Sequence, residues 1–258
     1  MIRVVFNQKG GVGKSSITAN LAAVAAHSGK RTLVVDLDPQ CNSSQYLLSD
    51  FFDGQEHDQS IARFFSDSLK FKLMDKDPQE YVYKTDYDNL DVLPADEELY
   101  DLQVKLEAKH KIYKLRDGLN KLRERYDEIY VDTPPAFNFF TLSALIGADS
   151  VLIPFDCDDF SRRALFNLLD NVEETRQDHN ASLRLEGIVV NQFLPQARLP
   201  KKVVQDLIDE GLPVFETKLS SSVKMRESHD EAKPLIYLAP KHKLTQQFVE
   251  LYKELQTA

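Results

Sequence analysis

Ile2-Arg3-Val4-Val5-Phe6 runs into Asn7-Gln8-Lys9-Gly10-Gly11-Val12-Gly13-Lys14-Ser15-Ser16, and this stretch decides the fold. The first five residues read as a short apolar strand, and a helical pattern opens at Ser15. Strand, glycine-rich turn and helix in that order make a phosphate-binding loop. Gly10, Gly11 and Gly13 let backbone N–H groups turn toward one anion without Cβ clashes. Lys14 supplies a point charge for β- and γ-phosphates, and the Ser15 hydroxyl suits Mg²⁺. The candidate binding segment is therefore Lys9, Gly10, Gly11, Val12, Gly13, Lys14, Ser15 and Ser16. Lys9 is one lysine more than a nucleotide's own phosphates require.

Short β-rich runs alternate with helical patterns along the rest of the chain. Strand candidates are Ile2–Phe6, Thr32–Asp36, Leu90–Leu93, Glu128–Asp132, Val151–Pro154, Gly187–Asn191 and Val214–Thr217. Several are continuous apolar runs, as expected of a parallel sheet covered on both faces. Ser15 to Ser28 carries Ile17, Leu21, Val24 and Ala25 at helical spacing, with Gly29 as a stop. Asp96 to Arg125 reads as one long helix, or as two joined near Lys109. The pattern predicts an α/β fold: a single domain over 1–258 with a doubly wound, mostly parallel sheet flanked by helices. Asp53 to Ser60 is the longest polar stretch and reads as a surface loop.

The bulk properties narrow the function classes. The net charge of −9 argues against polyanion binding by the whole chain, so any nucleic-acid contact needs a local patch. Between Arg198 and Lys243, nine Lys/Arg face seven Asp/Glu, leaving +2 there and −11 elsewhere. Cys41 and Cys157 form no Cys-x-x-Cys pair, so neither a disulfide framework nor a zinc site is expected. The pattern of a signal peptide is absent at the start, and no apolar run approaches the ~20 residues that span a bilayer.

Acidic residues at strand ends add chemistry to the loop. Asp132 closes Glu128-Ile129-Tyr130-Val131-Asp132 and precedes Thr133-Pro134-Pro135. An acid there can hold Mg²⁺ through water; its plain alternative is a helix cap or turn acid. Asp36 and Asp38 flank Leu37, and alternation in an extended chain points both carboxylates the same way. That arrangement suits orienting Mg²⁺-bound water and an attacking water. Ser15, Asp36 and Asp132 are the metal candidates.

Lys9-Gly10-Gly11-Val12-Gly13-Lys14-Ser15 resembles the deviant Walker A motif of the ParA/MinD family of P-loop ATPases. Asp36-Leu37-Asp38-Pro39-Gln40 is similar to its switch I segment, and Tyr126 to Pro135 to its Walker B strand. Asn7-Gln8 before the signature lysine is similar to the ParA/Soj branch, which partitions plasmids, chromosomes or other cargo; MinD-like members usually have glycine in place of Gln8. The resemblance implies a P-loop NTPase fold, ATP and Mg²⁺ as cofactors, and slow ATP hydrolysis without an activator. It implies that Lys9 reaches the partner's phosphates across a nucleotide-sandwich homodimer. Lys14 would bind phosphates in its own subunit, Asp38 would position the hydrolytic water, and Asn191 would contact adenine. Lys9, Lys14 and Asp38 are thus the catalytic candidates.

The same resemblance implies nonspecific DNA binding in the ATP state and a ParB-like or other cargo-linked activator. Lys224 stands where the family is usually basic; Arg198, Lys201, Lys202 and Arg226 are further candidates, and Arg162 and Arg163 could extend the patch. A cytoplasmic protein, nucleoid-associated in its ATP state, is expected, with no membrane partner. The competing readings are a MinD-like membrane-cycling ATPase, a metabolic ATP-dependent enzyme and a non-hydrolysing nucleotide-binding scaffold, against which the presence of Lys9, Lys14, Asp38 and Asp132 argues. The stripe Leu244, Phe248, Leu251 and Leu255 fits core packing better than a membrane anchor. Two departures stand out: Cys41 replaces the family's usual glycine, and Leu219-Ser220-Ser221-Ser222 lacks its usual proline and arginine, which puts the base-contacting segment in doubt.

Overall fold

The computed structural model describes residues 1–48, 59–70, 76–157 and 161–257, without the side chains of 161–163. Residues 53–58 of the expected polar loop and the Arg162 and Arg163 side chains lie outside the described residues. The first half of the chain runs β1 (Ile2–Val5), α1 (Lys14–His27), β2 (Thr32–Asp36), α2 (Asn42–Leu47), α3 (Ile61–Leu69), β3 (Tyr83–Lys84), β4 (Leu90–Leu93), α4 (Leu99–Ala108) and α5 (Lys114–Leu122). The second half runs β5 (Glu128–Asp132), α6 (Phe139–Gly147), β6 (Ser150–Asp156), α7 (Ser161–Asp178), β7 (Arg184–Asn191), α8 (Arg198–Asp209), α9 (Val223–Asp230), α10 (Leu235–Leu238) and α11 (Lys243–Leu255).

Among the described residues the strands form one sheet in the order β3-β4-β2-β5-β1-β6-β7. Every pairing is parallel except that of β3 with β4. The continuous apolar runs are explained by two cores. Ile2, Val4, Leu33, Val35, Ile129 and Val131 pack toward α3 to α8. Val5, Val34, Val92, Tyr130 and Leu152 pack toward α1, α2, α10 and α11. Alternate residues of one strand thus serve opposite faces, as a doubly covered sheet requires. Leu244, Phe248, Leu251 and Leu255 are all buried in the second core.

The structure departs from the sequence reading in two places. Val214–Thr217 makes only a bridge from Val214 to Ile188. Beyond the Phe215 N–H, which donates to the Ile188 carbonyl, its backbone groups are taken by side chains: Glu254 accepts the Glu216 and Thr217 N–H groups, and Lys218 donates to the Phe215 and Glu216 carbonyls. Of the two readings of Asp96 to Arg125, the structure has the second: two helices, separated after Lys109 by His110 at φ 51. The other departure is β3, two residues long and antiparallel, which has no periodicity to announce it.

Candidate functional site

The parallel register brings the site together at the carboxyl ends of β1, β2, β5, β6 and β7. Gly13 caps α1 in a left-handed conformation at φ 90, and Gly11 sits at φ 76. Both values favour glycine, and the space where Gly10 or Gly11 would carry a Cβ is empty to 4 Å. Gly11, Gly13 and Ser16 thus line an open cleft at the start of α1, where a helix N-terminus favours an anion. Two side chains from the end of β7 brace it from behind. Asn191 Nδ2 donates to the Val12 carbonyl at 2.9 Å, and Gln192 Nε2 to the Gly11 carbonyl at 3.1 Å. Asn7 sets the other end, accepting the Lys9 N–H while donating to Pro154 O.

The two loop lysines point to different places. Lys14 is buried and donates to the Lys9 carbonyl at 3.1 Å. Burial lowers its pKa, opposed by the charges of Asp132 and Asp38. Lys9 is partly exposed on the rim, with Nζ 3.8 Å from Asp156 at the end of β6.

Asp36 and Asp132 are paired in register on adjacent strands, and both are fully buried. Burial pushes both carboxyls up; the charge of Asp132 adds to the rise at Asp36, while the Ser15 and Ser43 hydroxyls hold Asp132 back. Asp36 is engaged by protein donors: Oδ1 accepts the Asp38 N–H, and Oδ2 accepts both the N–H and the hydroxyl of Ser44. Asp132 Oδ2 accepts from Ser43 at 2.7 Å, but its buried Oδ1 has no hydrogen-bond partner. Such an orphaned oxygen costs free energy unless something binds it. With Ser15 beside it, the donor set is hard oxygen, which fits a hydrated Mg²⁺. Asp38 is buried near Lys14, and its Oδ1 accepts the Gln40 N–H.

Next to the loop lies a cleft lined by Gly13, Ser16, Asn191, Ser220, Ser222 and Arg226, among others. A model of a family described as AAA domain matches residues 1–185. The chain is 34% identical to the chromosome partitioning protein ParA of Myxococcus xanthus (strain DK1622), over 97% of this chain and 86% of that one. It is 30% identical to the sporulation initiation inhibitor protein Soj of Bacillus subtilis (strain 168), over 98% and 97% respectively. The chain belongs to the ParA/Soj family. A solved structure of cobyrinic acid a,c-diamide synthase from Mycobacterium smegmatis, with a bound ATP analog and magnesium, matches with a TM-score of 0.81 at 25% identity, covering 98% of this chain and 92% of that one. The ParA/Soj fold is thus shared with a metabolic enzyme, and architecture alone does not separate the two.

The structure groups Lys14, Ser15, Asp38 and Asp132 closely, with Lys9 at the rim. Asn191 lines the cleft, yet its amide is engaged on the loop. The basic candidates fall on two helices. Arg198, Lys201 and Lys202 are exposed on α8. On α9, Lys224 is ion-paired with Glu227, and Arg226 lines the cleft. The supporting roles of Ser43, Ser44, Gln192 and His229 escaped the sequence reading, and Asn7 figured there only as a mark of the ParA/Soj branch. Only Asn7 and Gln192 carried a signal, as polar residues directly after a strand.

Proposed function

We propose that this chain is an ATP-dependent partition or positioning ATPase. It dimerises through two bound ATP molecules, binds DNA without sequence preference in that state, and is released when a cargo-linked activator stimulates hydrolysis. The observation that carries the reading is the division of labour between the loop lysines. Lys14 is buried among Asp38 and Asp132 of its own subunit, whereas Lys9 stands partly exposed on the rim, 3.8 Å from Asp156. A partly exposed lysine on the rim stands where phosphates bound by a second copy would meet it.

The residues would act as follows. Loop N–H groups and Lys14 bind the β- and γ-phosphates. Ser15 and Asp132 would hold Mg²⁺, which supplies charge neutralisation between the phosphates. Asp36 orients the turn that carries Asp38, through the bond from the Asp38 N–H. Asp38 positions the hydrolytic water, and phosphoryl transfer rests mainly on such positioning. The protein would be cytoplasmic, and nucleoid-associated while ATP is bound. No helix of the described residues is long and apolar enough to cross a membrane.

Light scattering after gel filtration, with and without Mg·ATP, tests the scheme. Asp38→Ala is expected to accumulate an ATP dimer, and Lys9→Ala to remain monomeric while still binding ATP. Normal ATP dimers in Lys9→Ala would sink the sandwich mechanism.

A further inference from the structure

Behind the phosphate loop, one imidazole joins three helices. His229 on α9 lies with Nε2 2.8 Å from the Ser16 hydroxyl, at the start of α1. Its ring stacks on Tyr46 of α2, with centroids 4.2 Å apart and planes at 25°. Tyr46 is held in turn by the Ser228 hydroxyl and by Asn20 Nδ2, the latter at 3.1 Å. Asn20 also donates to the Ser16 carbonyl and accepts the Leu235 N–H. The ring is therefore clamped, and burial favours its neutral form. We propose that His229 is a positioning residue for the nucleotide, setting the direction of the Ser16 hydroxyl proton in the phosphate loop.

Donors and acceptors at the ring carry this assignment, which rests on the nucleotide-binding reading above. A neutral imidazole has one N–H and one acceptor nitrogen. With the proton on Nδ1, Nε2 accepts the Ser16 O–H, and that proton is unavailable to the cleft that Ser16 lines. With the proton on Nε2, the ring donates to Ser16 Oγ, and the hydroxyl proton turns into the cleft. Phosphate oxygens at neutral pH are mainly acceptors, so a bound nucleotide draws the second arrangement. The clamped ring changes tautomer without moving, and the same ring ties α2, which follows Asp38, to the loop.

The tautomer is read directly from ¹⁵N shifts of His229 in histidine-labelled protein, free and saturated with Mg·ADP. Nε2–H in the bound state is expected; Nδ1–H there overturns the assignment. Calorimetric titration with Mg·ADP gives the second arm. His229→Phe keeps a ring on Tyr46 but no hydrogen bond, and is expected to weaken binding about fivefold, as for one neutral hydrogen bond. His229→Gln, which still donates, stays within about twofold on the same reasoning. Ser16→Ala loses as much as His229→Phe, and the double variant loses no more than either. Wild-type affinity in His229→Phe, or additive losses, overturns the assignment alone. A wild-type protein that binds no Mg·ADP overturns the nucleotide reading and this inference with it. Were His229→Phe to misfold, the tautomer of the unsubstituted protein would still decide.

Discussion

Asp36 and Asp132 show what a single residue contributes to the site and what it costs the free protein. Two carboxyls in register, both fully buried, bind protons more tightly in the folded chain than in the unfolded one. A raised folded-state pKa gives stability that is present below the unfolded value and lost as pH rises through the folded one. Without Mg·ATP, Asp132→Asn should therefore melt higher than wild type at pH 8, by on the order of 1–2 kcal/mol, with the gain shrinking toward pH 5. With Mg·ATP the order should reverse, because only wild type gains the ligand's stabilisation. Thermal melts at both pH values, with and without Mg·ATP, check this; a gain independent of pH removes the coupled-carboxyl account. At this scale the acids were legible as strand-end residues, but their pairing was not, because register is a property of two strands. Cys41 makes the same point. It departs visibly from the family's glycine, and only the structure shows why glycine suits the site: the residue caps α2 at φ 57, in the left-handed region. Its thiol is buried and pushed well above its usual pKa, which suits a structural role rather than redox control.

The loop and β7 act as one element pair, although more than 170 residues separate Val12 from Asn191. A Cβ on Gly13 would lie 2.3 Å from Asn191 Nδ2, and the backbone there is at φ 90. Gly13→Ala thus meets a clash and a conformational penalty together, for a loss of about 2–4 kcal/mol. Asn191→Ala alone should cost about 1 kcal/mol through the lost bond to the Val12 carbonyl. In the Gly13→Ala background the same change should instead recover stability, because it removes the clash and leaves only the backbone strain. Urea melts of the four proteins check the sign change; simple additivity would mean that the loop does not press on Asn191. Element order and the parallel sheet were readable from apolar runs and the glycine loop. Val214–Thr217 was not, since its β-like residues give up their backbone groups to Glu254 and Lys218, which are remote or non-periodic partners. The bracing by Asn191 and Gln192 was equally hidden, because a polar residue after a strand says nothing about what it will reach.

Across the whole molecule the two ends of the sheet have opposite duties. At the amino ends of β1 and β5, buried Arg3 pairs with Glu128 at 2.7 Å and Glu186 at 2.9 Å, and Tyr130 and Tyr252 donate to Glu128. These satisfied charges lock β1, β5, β7 and α11 together and leave the carboxyl ends for chemistry. The overall charge of −9 repels DNA, so a nonspecific DNA complex must concentrate a few cations and present more than one copy of them. The proposed dimer does this by doubling each basic helix. Counterion release turns that into a number: every phosphate contact contributes about 0.9 to the slope of log K against log salt. Lys224 can reach a phosphate only by leaving Glu227, so it supplies at most one contact per subunit. Lys224→Ala should then lower the salt slope for duplex DNA by about 1.8 in the ATP state, two contacts for one substitution. Nucleotide affinity should stay unchanged, since the side chain is paired outside the loop. Fluorescence anisotropy over a salt series, with Asp38→Ala as background to hold the ATP state, measures it. A drop near 0.9 would assign one lysine per complex and contradict the symmetric dimer; no change would take Lys224 out of the DNA-binding surface.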